Sequence, residues 1–465
     1  MEKAPSTGAP RKATTFQLIF MTYAVICSGA YGLEEMISGS GPGMALLTLI
    51  VLPFLWSIPI SLSCAELSAR FPVEGGYYRW ARMAFGDFTG YVAGWLVYLA
   101  IFMTNGTFAV LFGNYLKYWF PDMSDLTHWL VAAGIVWLTT WLNWRGIRLV
   151  GSASVVMTIL IFLPFIGMTI LGLLQWRQSP FQPFVNPGLS PYSAFGAGLM
   201  IAIWLYSGYE KLTTNAGEVE NPRRAFPIAL LVSVPLVAGT YVLPTLAALA
   251  SHGRWADWGE SYYSVAAQAM GGPVLGTMMA AGGLVSNACI LMVTILGQSR
   301  LPMVLAEDRF FPEVFRRTHP RYGTPTVSLV IGAVFLSLLC LLPFKQLAGL
   351  FSLVQVFAYL LIYAALLRLR SHPPRAGVMP HAAAGGGTGG GATEFRIPFG
   401  RAGIVAMTLP SIVLAVFVVV QTVWEEGGLN LPNLLIGALL FGSAPATFFL
   451  FRRLRGGAAP AATPH

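Results

Sequence analysis

From Phe16 onward the chain is a succession of apolar runs, each about as long as a bilayer core is thick, joined by short polar connections. Crossing that core takes roughly 20 apolar residues in a helix. Because lipid offers a backbone amide no partner, helices are what such runs can become. The runs fall at approximately 16–38, 43–69, 88–117, 126–144, 149–176, 194–217, 225–250, 273–303, 325–343, 346–368, 402–424 and 430–451. Composition agrees: 55% of the 465 residues are hydrophobic and 10% charged, where soluble domains carry roughly 25% charged residues. The expected fold class is an all-α membrane protein of 12 transmembrane helices. Met1–Thr15 is polar and basic, and no small-residue cleavage pattern follows, so the first run is expected to remain in the mature protein.

A net charge of +9 suggests nucleic acid, but the placement of the cations argues for membrane orientation instead. With the N-terminus inside, most of the 28 lysines and arginines fall in inside connections. Lys117, Arg177, Arg254 and Lys345 fall outside, and Lys211 falls within the sixth run. Both termini are therefore expected in the cytoplasm, with the protein in the plasma (inner) membrane and the lipid bilayer as its partner; no nucleic acid partner is expected. Cys27, Cys64, Cys289 and Cys340 lie in apolar segments without paired spacing, and the histidines are scattered, so neither a disulfide nor a metal or cofactor is expected.

The first run is interrupted. Cys27–Ser38 contains Gly29 and Gly32, which free the backbone, and Glu34 and Glu35, which are costly at membrane depth unless they face protein or water. The sixth run repeats the device: Ser28-Gly29-Ala30-Tyr31 is echoed by Tyr206-Ser207-Gly208-Tyr209, followed by Glu210 and Lys211. Paired breaks in two halves point to the substrate site of an inverted-repeat transporter. Lys211 reads either as a structural bridge to an acid or as part of that site. It is expected to pair across to another helix rather than with Glu210, because consecutive helical residues do not face each other.

Other signals admit two readings. Tyr98, Thr104, Asn105 and Thr107 in the third run serve either helix-to-helix hydrogen bonds or substrate contact; Tyr98 and Asn105 are retained as candidates. The connection Ala65–Tyr78 is a gate helix or an interfacial anchor, and the loop Ser251–Gly272 a lid or an aromatic anchor. The eighth run carries Ser286, Asn287, Thr294, Gln298 and Ser299 but no acid. The Gly-rich stretch around Gly385–Gly391 lacks the strand, helix and Lys-Ser/Thr ending of a phosphate loop and reads as a flexible linker.

Ser28-Gly29-Ala30-Tyr31-Gly32-Leu33-Glu34-Glu35, Phe54-Leu55-Trp56-Ser57-Ile58-Pro59, Ala65-Glu66-Leu67, Gly75-Gly76-Tyr77 and Ala216-Gly217-Glu218-Val219-Glu220-Asn221-Pro222 together resemble the amino acid–polyamine–organocation transporters, and within them the polyamine:proton symporters. The resemblance implies a LeuT-type 5+5 inverted repeat with discontinuous helices 1 and 6. Its five-helix repeats would cover 16–176 and 194–370, with a linker at 371–400, peripheral helices at 401–451, and terminal arms at 1–15 and 452–465. It implies that Ser28, Gly29, Tyr31, Glu35, Trp204, Tyr206, Ser207, Tyr209 and Glu210 line the site, to which Ala30, Gly32, Glu34 and Gly208 are added from the breaks themselves.

The residues support a cationic substrate independently. Glu34 and Glu35 occupy the first turn of the second half-helix, where a substrate carboxylate would meet like charge. The bland alternative is that one Glu caps the half-helix and another is protonated. The expected function is secondary transport of a cationic amine, such as putrescine, or of an amino acid. A proton is favoured over Na⁺ as the coupling ion because protonatable acids flank the breaks. An amino acid permease or exchanger and a non-transporting membrane sensor remain open as alternatives. No nucleophile-and-base arrangement suggests an enzyme.

Overall fold

The computed structural model describes residues 14–27, 29–71, 73, 76–146, 152–209, 211, 219–252, 254–308, 310–372, 374, 395–425 and 428–454. Helices account for most of it. In chain order they are α1 (Thr15–Ile26), α2 (Glu34–Ser40), α3 (Pro42–Leu52), α4 (Ile58–Arg70), α5 (Gly76–Phe85), α6 (Asp87–Leu116), α7 (Asp125–Trp144) and α8 (Ser152–Leu174). These are followed by α9 (Pro191–Leu205), α10 (Pro222–Ser251), α11 (Tyr262–Glu307), α12 (Thr326–Leu339), α13 (Phe344–Ser371), α14 (Gly400–Val423) and α15 (Leu431–Leu454). A two-residue antiparallel pair, Trp424–Glu425 with Gly428–Leu429, joins α14 to α15. Among the described residues, seven helices are long and apolar enough to cross a bilayer, and Leu160–Leu174, Pro191–Leu205 and Thr326–Leu339 are apolar but shorter.

Local chemistry sets the boundaries. Thr14 caps α1 reciprocally with Gln17, its side chain accepting from Gln17 N–H and its own N–H donating to Gln17 Oε1 at 2.9 Å. Ser124 and Ser190 cap α7 and α9 one way, their side chains accepting from Thr127 N–H and Ser193 N–H, and Pro191 follows at the first helical position, where its missing N–H costs nothing. The second apolar run is one continuous span, Pro42–Arg70, in which Pro53 opens a π turn, Pro53–Ser57, that absorbs the missing donor. In α11 the helix breaks at Gly272, so the loop read as a lid or anchor contains a helical segment that precedes the long span.

Packing places α6 at the centre. Of its most apolar stretch 89% is buried, against 11% for α15 at the periphery. α6 lies against α11 and α13; α1 and α4 lie against α10; α8 bridges α10 and α11; and α2 and α3 pack on α9. Side chains of α6 reach both interrupted runs, Tyr115 bonding to Glu34 and Thr104 to Trp204.

Two charged clusters tie helix ends together. Fully buried Glu66 on α4 faces Arg370 at 3.4 Å and Arg70 at 3.9 Å, and its Oε2 accepts from Ile397 N–H at 2.8 Å. Arg370 also donates to the carbonyls of Ile397 and Gly400, so one acid joins α4, α13 and the segment entering α14. Asp308, at the end of α11, accepts from Tyr78 Oη at 2.7 Å and pairs with Arg79 and Arg82 at 3.2 and 3.3 Å. Burial and this carboxylate push the Tyr78 phenol above the usual tyrosine range, which keeps it a donor. The connection Ala65–Tyr78 therefore runs into a helix, α5, that is pinned to α11.

Removing one partner of a buried pair leaves an uncompensated charge and costs about 3–5 kcal/mol. Glu66→Ala is expected to lower the thermal unfolding temperature in detergent by several degrees. Glu66→Gln, which still accepts from Ile397 N–H, should lower it less; equal stability of all three proteins would remove Glu66 as the tie.

Candidate functional site

The first break begins at Cys27, whose N–H closes α1 on Tyr23 O at 2.7 Å, and ends at Leu33, where α2 starts. Gly32 sits at φ +91°, and a Cβ there would lie 2.9 Å from Leu111 and 3.1 Å from the Trp204 ring. Only glycine serves at such a position. Glu34, 2% exposed, accepts from Gly32 N–H at 2.8 Å through Oε2 and from Tyr115 Oη of α6 through Oε1. Its carboxylate is thus used in closing the break and complementing the α2 dipole. Glu35 is half-buried and lies within electrostatic reach of Glu260, Lys345 and Lys117. Lys117 is itself paired with Glu260 at 2.7 Å.

The second break follows Leu205, with Gly208 at φ +118°. Several of its polar groups are met from neighbouring helices. Tyr206 Oη donates to Leu49 O at 2.7 Å, and Ser57 Oγ donates to Tyr206 O at 3.3 Å. Ser207 Oγ donates to Ile203 O and accepts from Trp56 Nε1 at 3.2 Å. Gly208 N–H donates to Tyr359 Oη at 3.1 Å. Tyr241 Oη stands between the two breaks, 3.2 Å from Leu205 O and 3.4 Å from Ile26 O.

Between the breaks lies a cavity of about 30 Å³, room for one or two waters. Its wall includes Gly29 and Tyr31 from the first break, Trp204 from the last turn of α9, and Ser207 and Lys211 from the second break. Thr104 and Phe108 of α6, Ser286, Asn287 and Ile290 of α11, Tyr241 of α10 and Phe351 of α13 complete it, with Ile26 and Leu205 from the helix ends. Trp204 is held by a 2.9 Å bond from Nε1 to Thr104 Oγ1, and Tyr31 by donation to Met279 O at 3.3 Å and edge contact with Tyr115.

Of the residues singled out in the sequence, Gly29, Tyr31, Trp204 and Ser207 line this cavity. Ala30, Gly32, Glu34, Tyr206, Gly208 and Tyr209 are buried around it without lining it. Tyr98 packs edge-on against Phe102 at 4.8 Å, and Asn105 donates to Gln298 of α11; neither reaches the cavity, because each is committed to a neighbouring side chain. Ser28 and Glu210 lie outside the described residues. Tyr115 and Tyr241 had escaped notice: each is a tyrosine in an apolar run with no charged neighbour beside it, and only the need of a buried hydroxyl for a partner could have singled it out.

A model of the amino acid permease family matches residues 14–445. A probable polyamine transporter of Arabidopsis thaliana is 30% identical over 437 residues, covering 94% of this chain and 84% of that protein. A polyamine transporter of Oryza sativa subsp. japonica is 27% identical over 441 residues, covering 94% and 79%. Cationic amino acid transporter 4 of Mus musculus is 24% identical over 401 residues, covering 79% of this chain and 61% of its own length. Among solved structures, MhsT in complex with L-phenylalanine, a LeuT-fold protein, matches with a TM-score of 0.59 at 14% identity, covering 89% of this chain and 100% of that one. The likeness to MhsT is one of fold; the family model, matching almost the whole length, shows that this chain belongs to the amino acid permease family.

Proposed function

We propose that the protein is a secondary transporter of a cationic organic amine, a polyamine such as putrescine, working by alternating access around the cavity between the two breaks. The observation that carries this reading is the convergence of Tyr31, Phe108, Trp204, Tyr241 and Phe351 on that cavity. Aromatic faces hold an ammonium group by cation–π attraction, each worth roughly 0.5–2 kcal/mol, and give a methylene stem apolar contact. The polyamine transporters among its relatives support the same reading. Glu210, next in the chain to buried Tyr209, supplies counter-charge in this account, and a proton is the coupling ion. A second reading, an amino acid as substrate, is favoured by Lys211 in the cavity wall, whose ammonium suits a carboxylate.

The architecture we infer is a LeuT-type pair of inverted five-helix repeats, α1–α8 and α9–α13, with α14 and α15 peripheral. It gives twelve spans, both termini in the cytoplasm and a place in the plasma membrane. The match to MhsT and the paired breaks support it.

Purified protein in liposomes should take up labelled putrescine. In competition at fixed pH, cadaverine should outdo lysine and putrescine should outdo ornithine, since each amino acid adds a carboxylate to its amine. Consistent preference for the amino acids would move the protein to the second reading. Removing one charge of a desolvated pair typically costs several kcal/mol, so Glu210→Gln should reduce putrescine uptake by more than about tenfold at unchanged expression; uptake at the wild-type level would make Glu210 structural. A single cysteine placed near Gly389 should react with an impermeant reagent only after the cytoplasmic side is opened. Labelling of intact cells would overturn the span count.

A further inference from the structure

Lys211 is the one charged side chain that the described residues bring into the cavity wall. Its arm passes over Gly208: a Cβ there would lie 3.5 Å from Lys211 Cδ and 3.3 Å from both Cε and Nζ. The lysine arm is a butylammonium group, four methylenes ending in a primary ammonium, and so has the chemistry of one end and the stem of a short diamine. It reaches the same cavity as the aromatic side chains, and about 30 Å³ of free space leaves no room for a diamine beside it.

We propose that Lys211 is a tethered stand-in for substrate: its arm occupies the seat taken by one ammonium end of a bound amine, and an incoming amine displaces it. The inference rests on the reading of this cavity as the substrate site. Lys211 then determines specificity by competition, favouring primary alkyl amines able to replace both its charge and its stem. A binding-competent state populated only part of the time lowers apparent affinity by that fraction, so an arm seated nine-tenths of the time weakens binding about tenfold. The opposite role, Lys211 as receptor for a substrate carboxylate, predicts the opposite sign.

The test compares full-length wild type, Lys211→Ala and Lys211→Arg by thermal-shift titration with n-butylamine, putrescine and lysine. Lys211→Ala should bind n-butylamine and putrescine about tenfold more tightly than wild type, and Lys211→Arg, which keeps a cation on a long stem, should bind them no more tightly. Unchanged or weaker amine binding by Lys211→Ala overturns the proposal, as does loss of lysine binding with amine binding unaltered. If the Ala variant does not fold, Lys211→Gln carries the same expectation and the same overturning results. Failure of the diamine reading is seen separately in the wild type, as binding of lysine and refusal of putrescine; the ratio of variant to wild-type affinity for n-butylamine still reports the tether.

Discussion

A helix interrupted at membrane depth leaves N–H and C=O groups that lipid cannot satisfy, and each one buried without a partner costs about 1–3 kcal/mol. Much of the polar chemistry inside this protein meets that requirement. Glu34 takes Gly32 N–H, Tyr359 takes Gly208 N–H, and Ser57 serves Tyr206 O. Tyr241 stands against the last carbonyls before both breaks. The partners come from different elements, so the breaks exist only as long as α10, α13 and the π-turn span are packed around them. That dependence makes the site a property of the assembled bundle.

The same arrangement explains how a site can open without dissolving. The rigid ties lie away from the cavity, at Glu66, where α4, α13 and the entry to α14 meet, and at Asp308, where α5 is fastened to α11. Most contacts at the breaks are instead single hydrogen bonds to or from hydroxyl groups, near 3 Å and individually modest. Helix ends held in this way can shift against a centre, α6, that stays packed. On the Glu35 side, the Lys117–Glu260 pair adds an exposed contact that rearranges at little cost.

The position of both breaks was legible because glycine, polar residues and acids are conspicuous in runs otherwise built from Leu, Ile, Val and Phe. The break at Gly272 lay at the edge of the eighth run for a similar reason. The division of labour between Glu34 and Glu35 was not legible, since adjacent acids look alike until the fold bonds one to Gly32 and Tyr115 and leaves the other within electrostatic reach of Glu260, Lys345 and Lys117. Tyr98 and Asn105 do not line the cavity: a polar residue midway along a span signals burial, and packing alone decides whether it meets a helix or a ligand. Phe108, Ile290 and Phe351 carried no signal, because an apolar residue facing a cavity is indistinguishable in sequence from one facing lipid. Family resemblance and physical reading agreed most closely where backbone geometry is demanding, at the glycines, and least where side chains choose partners.

The central claim is that the two breaks enclose a single amine site. It is tested most directly by photolabelling the reconstituted protein with an alkyl diamine that carries a diazirine on its stem, with and without excess putrescine, followed by peptide mapping. The account predicts putrescine-protected adducts on both the Ile26–Tyr31 and Trp204–Lys211 stretches. Protected adducts confined to one break, or found only on α14 and α15, would contradict it.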